Sequence, residues 1–229
     1  MVDVGWPCLE HRRTMGDEHW YRGAAWDKVA RAEFEERLSR ARSQRPQYMR
    51  IKATHLLDSD DPVARAGGVD LMRRLIDEYP DDRLSVPFAH EQLAMYFEKQ
   101  GLREEAKNEY RQSIAKALPN RSGTRWPDLS LVELLIDDGE VEEALERWEI
   151  ARTMSRGQDV FPAVAFDFHR IEAKVSLTIG DQQAAEAAAQ KALAAAAATQ
   201  SNALHHRNLG LVESDEATLA FLRRTARRT

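Results

Sequence analysis

Apolar residues recur at intervals of three and four over most of the chain, while the two-residue alternation of a half-buried strand is nearly absent. The pattern predicts an all-helical protein. One stretch, His19–Leu38, gathers Trp20, Tyr21, Trp26 and Phe34 among mostly polar residues. Its periodicity predicts a helix over Ala25–Arg42 with Trp26, Phe34 and Leu38 on one apolar stripe. Trp20, Tyr21 and Arg22 precede that helix and fall outside the stripe, so they stand as candidates for a second contact surface. Further helices are predicted over Gln47–Leu57, Pro62–Pro80 and near Glu213–Arg227. Before the third of these four, Asp60 or Asp61 is placed to cap the first turn, with Pro62 inside it.

The middle of the chain repeats itself. In Gln92–Pro119, Leu93, Ala94 and Phe97 precede Gly101, and Ala106, Tyr110 and Ser113 follow it. In Ser130–Thr153, Leu131, Val132 and Leu135 precede Gly139, and Ala144, Trp148 and Ala151 follow at the same offsets. A third, degraded copy surrounds Gly180, with Ala185, Ala189 and Ala192 in the later positions and Glu172 where a large apolar residue belongs. Each unit reads as a helical hairpin. The glycine stops the first helix in a left-handed conformation, and the small residue five positions on lets the second helix approach closely. The aromatic four residues further on reaches toward the next unit, and Pro119 ends the second helix of the first copy.

This spacing resembles the tetratricopeptide repeat (TPR) family over roughly residues 47–200. The resemblance implies a right-handed superhelical array of about three to four antiparallel hairpins with a capping helix at each end. The clearest repeats lie at about 86–119, 124–157 and 165–200, within a single domain over 20–229. Residues 1–19 are expected to be disordered, and residues 1–14 lack periodicity enough that Met15 is an alternative start. In the TPR family the first helices of the hairpins line a concave, peptide-binding groove. The matching positions here are Phe88, Glu91, Met95 and Glu98, then Trp126, Leu129, Glu133 and Ile136, then Asp167, Arg170, Lys174 and Leu177. Glu91, Met95 and Glu133 stand where a carboxylate clamp would need donors, so recognition of a chaperone tail is not expected. A groove filled in part by the protein's own N-terminal helix is the alternative.

Charge and cysteine content narrow the classes. A formal charge of −5 over 229 residues gives no electrostatic footprint for nucleic acid, and the single cysteine, Cys8, excludes an internal disulfide framework. No apolar run is long enough for a membrane span; the Ala184–Ala198 run contains Glu186, Gln190 and Lys191. A cytoplasmic protein follows, and arginine- and alanine-rich usage suggests a bacterial one.

Motifs for chemistry are near misses. His90–Tyr96 begins like a zinc-protease helix but carries Ala94 at the second histidine position. Asp58–Asp70 lacks both the glycine and the final glutamate of a calcium loop. The adjacent His205 and His206 point about 100° apart on a helix and do not chelate together. Acidic Glu140–Glu149 reads as a solvated helix face, and the arginines of Phe221–Arg228 as a complement to a helix dipole. No cofactor, metal or catalytic residue is expected. The expectation is a non-catalytic scaffold or adaptor that binds a protein or peptide of unspecified identity in its concave face. A regulatory, ligand-sensing or toxin-neutralising protein of the same fold is the alternative.

Overall fold

The computed structural model describes residues 19–117, 126–154, 161–201 and 209–227. Among these it has ten helices and no strand: α1 (Lys28–Arg40), α2 (Arg45–Leu57), α3 (Pro62–Glu78), α4 (Ser85–Lys99), α5 (Arg103–Lys116), α6 (Trp126–Asp137), α7 (Val141–Met154), α8 (Pro162–Thr178), α9 (Gln182–Ala196) and α10 (Glu216–Thr225). No described helix is long and apolar enough to cross a membrane. The chain divides into two compact units, Met1–Gln92 and Leu93–Thr229, and the boundary falls inside α4.

In the first unit α2 and α3 form the central hairpin, packed through Met49, Ala53, Leu56, Ala64, Leu71, Met72 and Leu75, all buried. Asp61 accepts the Val63 amide at 2.9 Å and Pro62 opens α3, as the sequence requires. Helix α1 starts later than its periodicity suggests. Asp27 caps it through the amides of Val29 and Ala30, which leaves Trp26 before the helix. The Trp26 ring still meets Phe34, with centroids 5.7 Å apart.

The segment ahead of α1 is tied down by groups that periodicity does not reveal. Lys52 on α2 is buried, and its ammonium donates to the carbonyls of Gly23 at 2.8 Å and Ala25 at 3.0 Å. The same ammonium lies 5.5 Å from the centre of the Trp26 ring. Burial lowers the Lys52 pKa from the ordinary lysine value. Trp26 in turn lies against the backbone of α3. A Cβ on Gly67 would fall 2.0 Å from the indole nitrogen, so this mid-helix glycine is the floor of the Trp26 site. Trp20 and Tyr21 join Phe34 and Tyr48 in a ring cluster, with Trp20 5.3 Å from Phe34 and Tyr21 4.7 Å from Tyr48.

In the second unit the three copies adopt one turn. Gly101, Gly139 and Gly180 have φ of 73°, 80° and 78°. In each, the glycine amide donates to the carbonyl three residues back, and the next amide donates five residues back. The acceptors are Glu98 and Phe97, Ile136 and Leu135, and Leu177 and Ser176. This double bond is the Schellman arrangement. The positions read as close-packing are all fully buried: Ala106, Ala144 and Ala185, then Ser113, Ala151 and Ala192. Tyr110, Trp148 and Ala189 are buried between them. The alanine run has a packing reason, because α10 lays Leu222 onto the α9 face made by Ala188, Ala189 and Ala192. Pro119, His205 and His206 lie outside the described residues.

Two substitutions test this packing. The buried Oγ of Ser113 has no hydrogen-bond partner among the described residues, and the other copies carry alanine there. Ser113→Ala is therefore expected to raise stability by about 1 kcal/mol in urea unfolding. Gly→Ala in a helix ordinarily gains about 1 kcal/mol. Gly67→Ala instead expels the Trp26 ring, seen as a red-shifted tryptophan emission and a net loss of stability. In a Trp26→Ala background the same change is expected to recover the ordinary helix gain.

Candidate functional site: the charged face of α6 and α8

Glu133, on α6, and Asp167, Arg170 and Lys174, on α8, are expected from the sequence at groove-facing positions of successive hairpins. In the second unit these side chains meet. Glu133 accepts from both terminal nitrogens of Arg170, one of them at 2.8 Å, and from Lys174 at 2.7 Å. Lys174 also reaches Asp137, one turn further along α6, at 3.1 Å. Arg170 with Glu133 and Lys174 with Asp137 advance together, so α6 and α8 run in the same direction. Asp167 is left with the remaining guanidinium nitrogen of Arg170 at 3.6 Å, beyond hydrogen-bond reach.

Beneath the charges lies an apolar layer. Leu129, Val132, Trp148, Ala151, Ile171 and Val175 are buried together, with Ile136 and Phe168 packed against them. Leu129, expected to line a groove, is therefore core. Trp148 and Phe168 are 5.0 Å apart. That layer desolvates the ion network, and each charge responds. Burial raises the Glu133 pKa, but Arg170 and Lys174 outweigh it and hold the carboxyl below the usual range. Burial lowers Arg170, but Glu133 and Asp167 outweigh it and raise the guanidinium. Asp167 goes the other way. Burial and the nearby Glu133 charge, only partly offset by Arg170, push it up to about 6.

A second network joins α5 to the α6–α7 hairpin. The fully covered Lys107 ammonium contacts Glu104 at 2.5 Å, Asp138 at 2.9 Å and Glu140. Arg103 bridges to Asp138 at 2.8 Å, and Arg111 makes a forked pair with Glu143 at 2.8 and 2.7 Å. Burial alone would lower Lys107, but its three carboxylates outweigh that and raise it above the ordinary lysine value. Carboxylate oxygens of Glu104, Asp138 and Glu140 lie within 4.8 Å of one another, a spacing that suits a metal. The Lys107 ammonium sits on all three, so the trio is the acceptor set of an internal cation. Glu140 and Glu143, read in the sequence as part of a solvated face, are bridge residues.

The other sequence candidates are dispersed. Phe88 is 40% exposed beneath the Arg50 guanidinium, 5.2 Å from the ring centre. Glu91, expected at a groove-facing position, is buried, and its charge acts on Arg50. Met95 is 45% exposed, and Glu98 accepts the Tyr110 hydroxyl at 2.8 Å. Trp126 opens α6 and its side chain lies outside the described residues. Leu177 is half-buried on α8. Trp20 and Tyr21 have the ring-cluster packing that the sequence could not supply, and Arg22 is exposed. The residues that the sequence reading missed are Lys52, Gly67 and Lys107. In the ion networks the separations 32, 33, 35, 37 and 41 cluster around the repeat length, and that period was the available signal.

Comparison with protein-family models, with curated proteins and with solved structures returned no match.

Exposed ion pairs contribute about 0–1 kcal/mol. The Glu133–Arg170 pair is forked and lies over an apolar layer. A double-mutant cycle of Glu133→Gln and Arg170→Gln is expected to give a larger coupling, about 1–2 kcal/mol in urea unfolding.

Proposed function

We propose that the chain is a TPR-like helical repeat protein that binds a protein or peptide partner and does no chemistry on it. The observation that carries this reading is the identity of the three hairpin turns in the second unit. Each has the same glycine conformation and the same pair of backbone hydrogen bonds. The parallel course of α6 and α8, the first helices of successive hairpins, supports it. So do ion pairs at repeat spacing, which join neighbouring hairpins as nearest-neighbour interfaces do in a solenoid.

The binding surface in this reading combines the charged α6–α8 face with the exposed Met95. Apolar anchors supply affinity, and the charges set orientation and on-rate. Half-buried charges held by one another are preorganised, which suits recognition of an ordered partner segment. The test is affinity capture followed by mass spectrometry, with the wild type beside a Met95→Lys/Trp126→Ala double variant. Partners enriched by the wild type are expected to be lost from the variant while its helical circular dichroism is retained. An unchanged partner set in the folded variant would sink the proposed surface.

A further inference from the structure

The α6–α8 face has two half-buried carboxylates and one guanidinium between them. Glu133 holds two of the three Arg170 nitrogens and also Lys174. Asp167, with a side chain only 16% exposed, has the third nitrogen at 3.6 Å. We propose that the contact between α6 and α8 is a proton-responsive latch, in which Asp167 and Glu133 compete for Arg170 and protonation of Asp167 leaves the bridge to Glu133 uncontested. The inference stands apart from the proposed partner binding, because it concerns only how two helices of this chain hold each other.

The groups that act on Asp167 are few. From its own helix there is Arg170, with Lys174 one turn beyond and engaged by Glu133 and Asp137. From α6 there is Glu133, which repels it. Arg152 on α7 and Lys191 on α9 act on Glu172, which also pairs with His169 at 2.8 Å. Glu172 is five residues from Asp167, about 140° around the helix. On α10 Arg223 is taken by Glu216. Asp167 therefore answers first to its burial, and then to the balance between one cation, Arg170, and one anion, Glu133.

The sign is unusual for a carboxylate. A folded-state pKa of about 6 lies above the ordinary 3.8. The native state thus binds more protons than the unfolded chain between those values. The cost of the Asp167 charge is full above pH 6 and is relieved as pH falls toward 4. Most paired carboxylates, Glu133 among them, change stability the opposite way.

Histidines titrate in the same interval, so the test reads Asp167 itself. Carbon-13 carboxyl resonances of aspartate-labelled full-length protein are followed from pH 3 to 8, with Asp167 assigned by its loss in Asp167→Asn. The expected midpoint is near 6, falling toward the ordinary aspartate range in Glu133→Gln, where the repelling charge is gone and Arg170 is released. Thermal melts supply a readout that does not need the Glu133 variant to fold. The melting temperature of Asp167→Asn is expected to exceed that of the wild type at pH 7.5 and to converge with it by pH 4.5. An ordinary Asp167 midpoint in the wild type, or melting curves offset equally at both pH values, would overturn the latch.

Discussion

A helical hairpin of this length closes only if its first helix stops sharply and its second approaches within a methyl group. Everything else in the second unit depends on that pair of conditions. The stop is set by a glycine at positive φ, whose amide and the next return to carbonyls of the last turn. The approach is set by Ala106, Ala144 and Ala185, each fully buried where the helices meet. Once both are met, Trp148 is carried to the side of the second helix that faces α8, while Tyr110 is buried with its hydroxyl donating back to Glu98 on α4. The third hairpin lacks that aromatic and offers Ala189, so the gap is closed from the other direction by Leu222 of α10. The C-terminal helix is thus a packing requirement of a degraded repeat.

Charge then repeats with the hairpins. Arg103, Lys107 and Arg111 are on one helix, α5, and their acceptors Asp138, Glu140 and Glu143 follow the next glycine turn or lie beside it. A cation every four residues meets an acidic group delivered by the turn of the neighbouring hairpin. Such residues look like ordinary solvated positions when each helix is considered alone. Covering Lys107 completely is tolerated because three carboxylates accept from it. Lys52 shows the other solution, with two carbonyls and a ring face in place of anions.

These cases mark what was legible in the sequence. Helix positions, the glycine stops, the alanine approaches and the Asp61 cap follow from local rules, because the chain neighbours involved are within five residues. Glu133, Arg170 and Lys174 could be assigned to a face, since helical periodicity fixes which side a residue occupies. Their mutual pairing could not, because it depends on how one hairpin sits on the next. Glu91 and Leu129, expected at groove-facing positions, are buried, and burial of that kind depends on packing beyond a single helix. Gly67 was harder still. Its meaning is the Trp26 ring forty-one residues earlier, and a helix interior glycine carries no signal of what lies against it.

The incompletely compensated position of Asp167 also has a structural logic. Glu133 and Asp137 on α6 face Arg170 and Lys174 on α8 as a two-by-two ladder. Ladders of i,i+4 charges are prone to slip by a turn, because each cation finds another acid one step away. Sliding α8 so that Lys174 meets Glu133 alone would drive Arg170 toward Leu129, which is core. Sliding it the other way would bring Arg170 to Asp137 and set the Asp167 region against Glu133, acid against acid. The native register is the one in which Asp167 is merely short of a partner, and both alternatives are worse. A carboxylate that costs stability in place therefore excludes one neighbouring alignment, as Leu129 excludes the other, and the same excess charge is what makes the contact sensitive to protons.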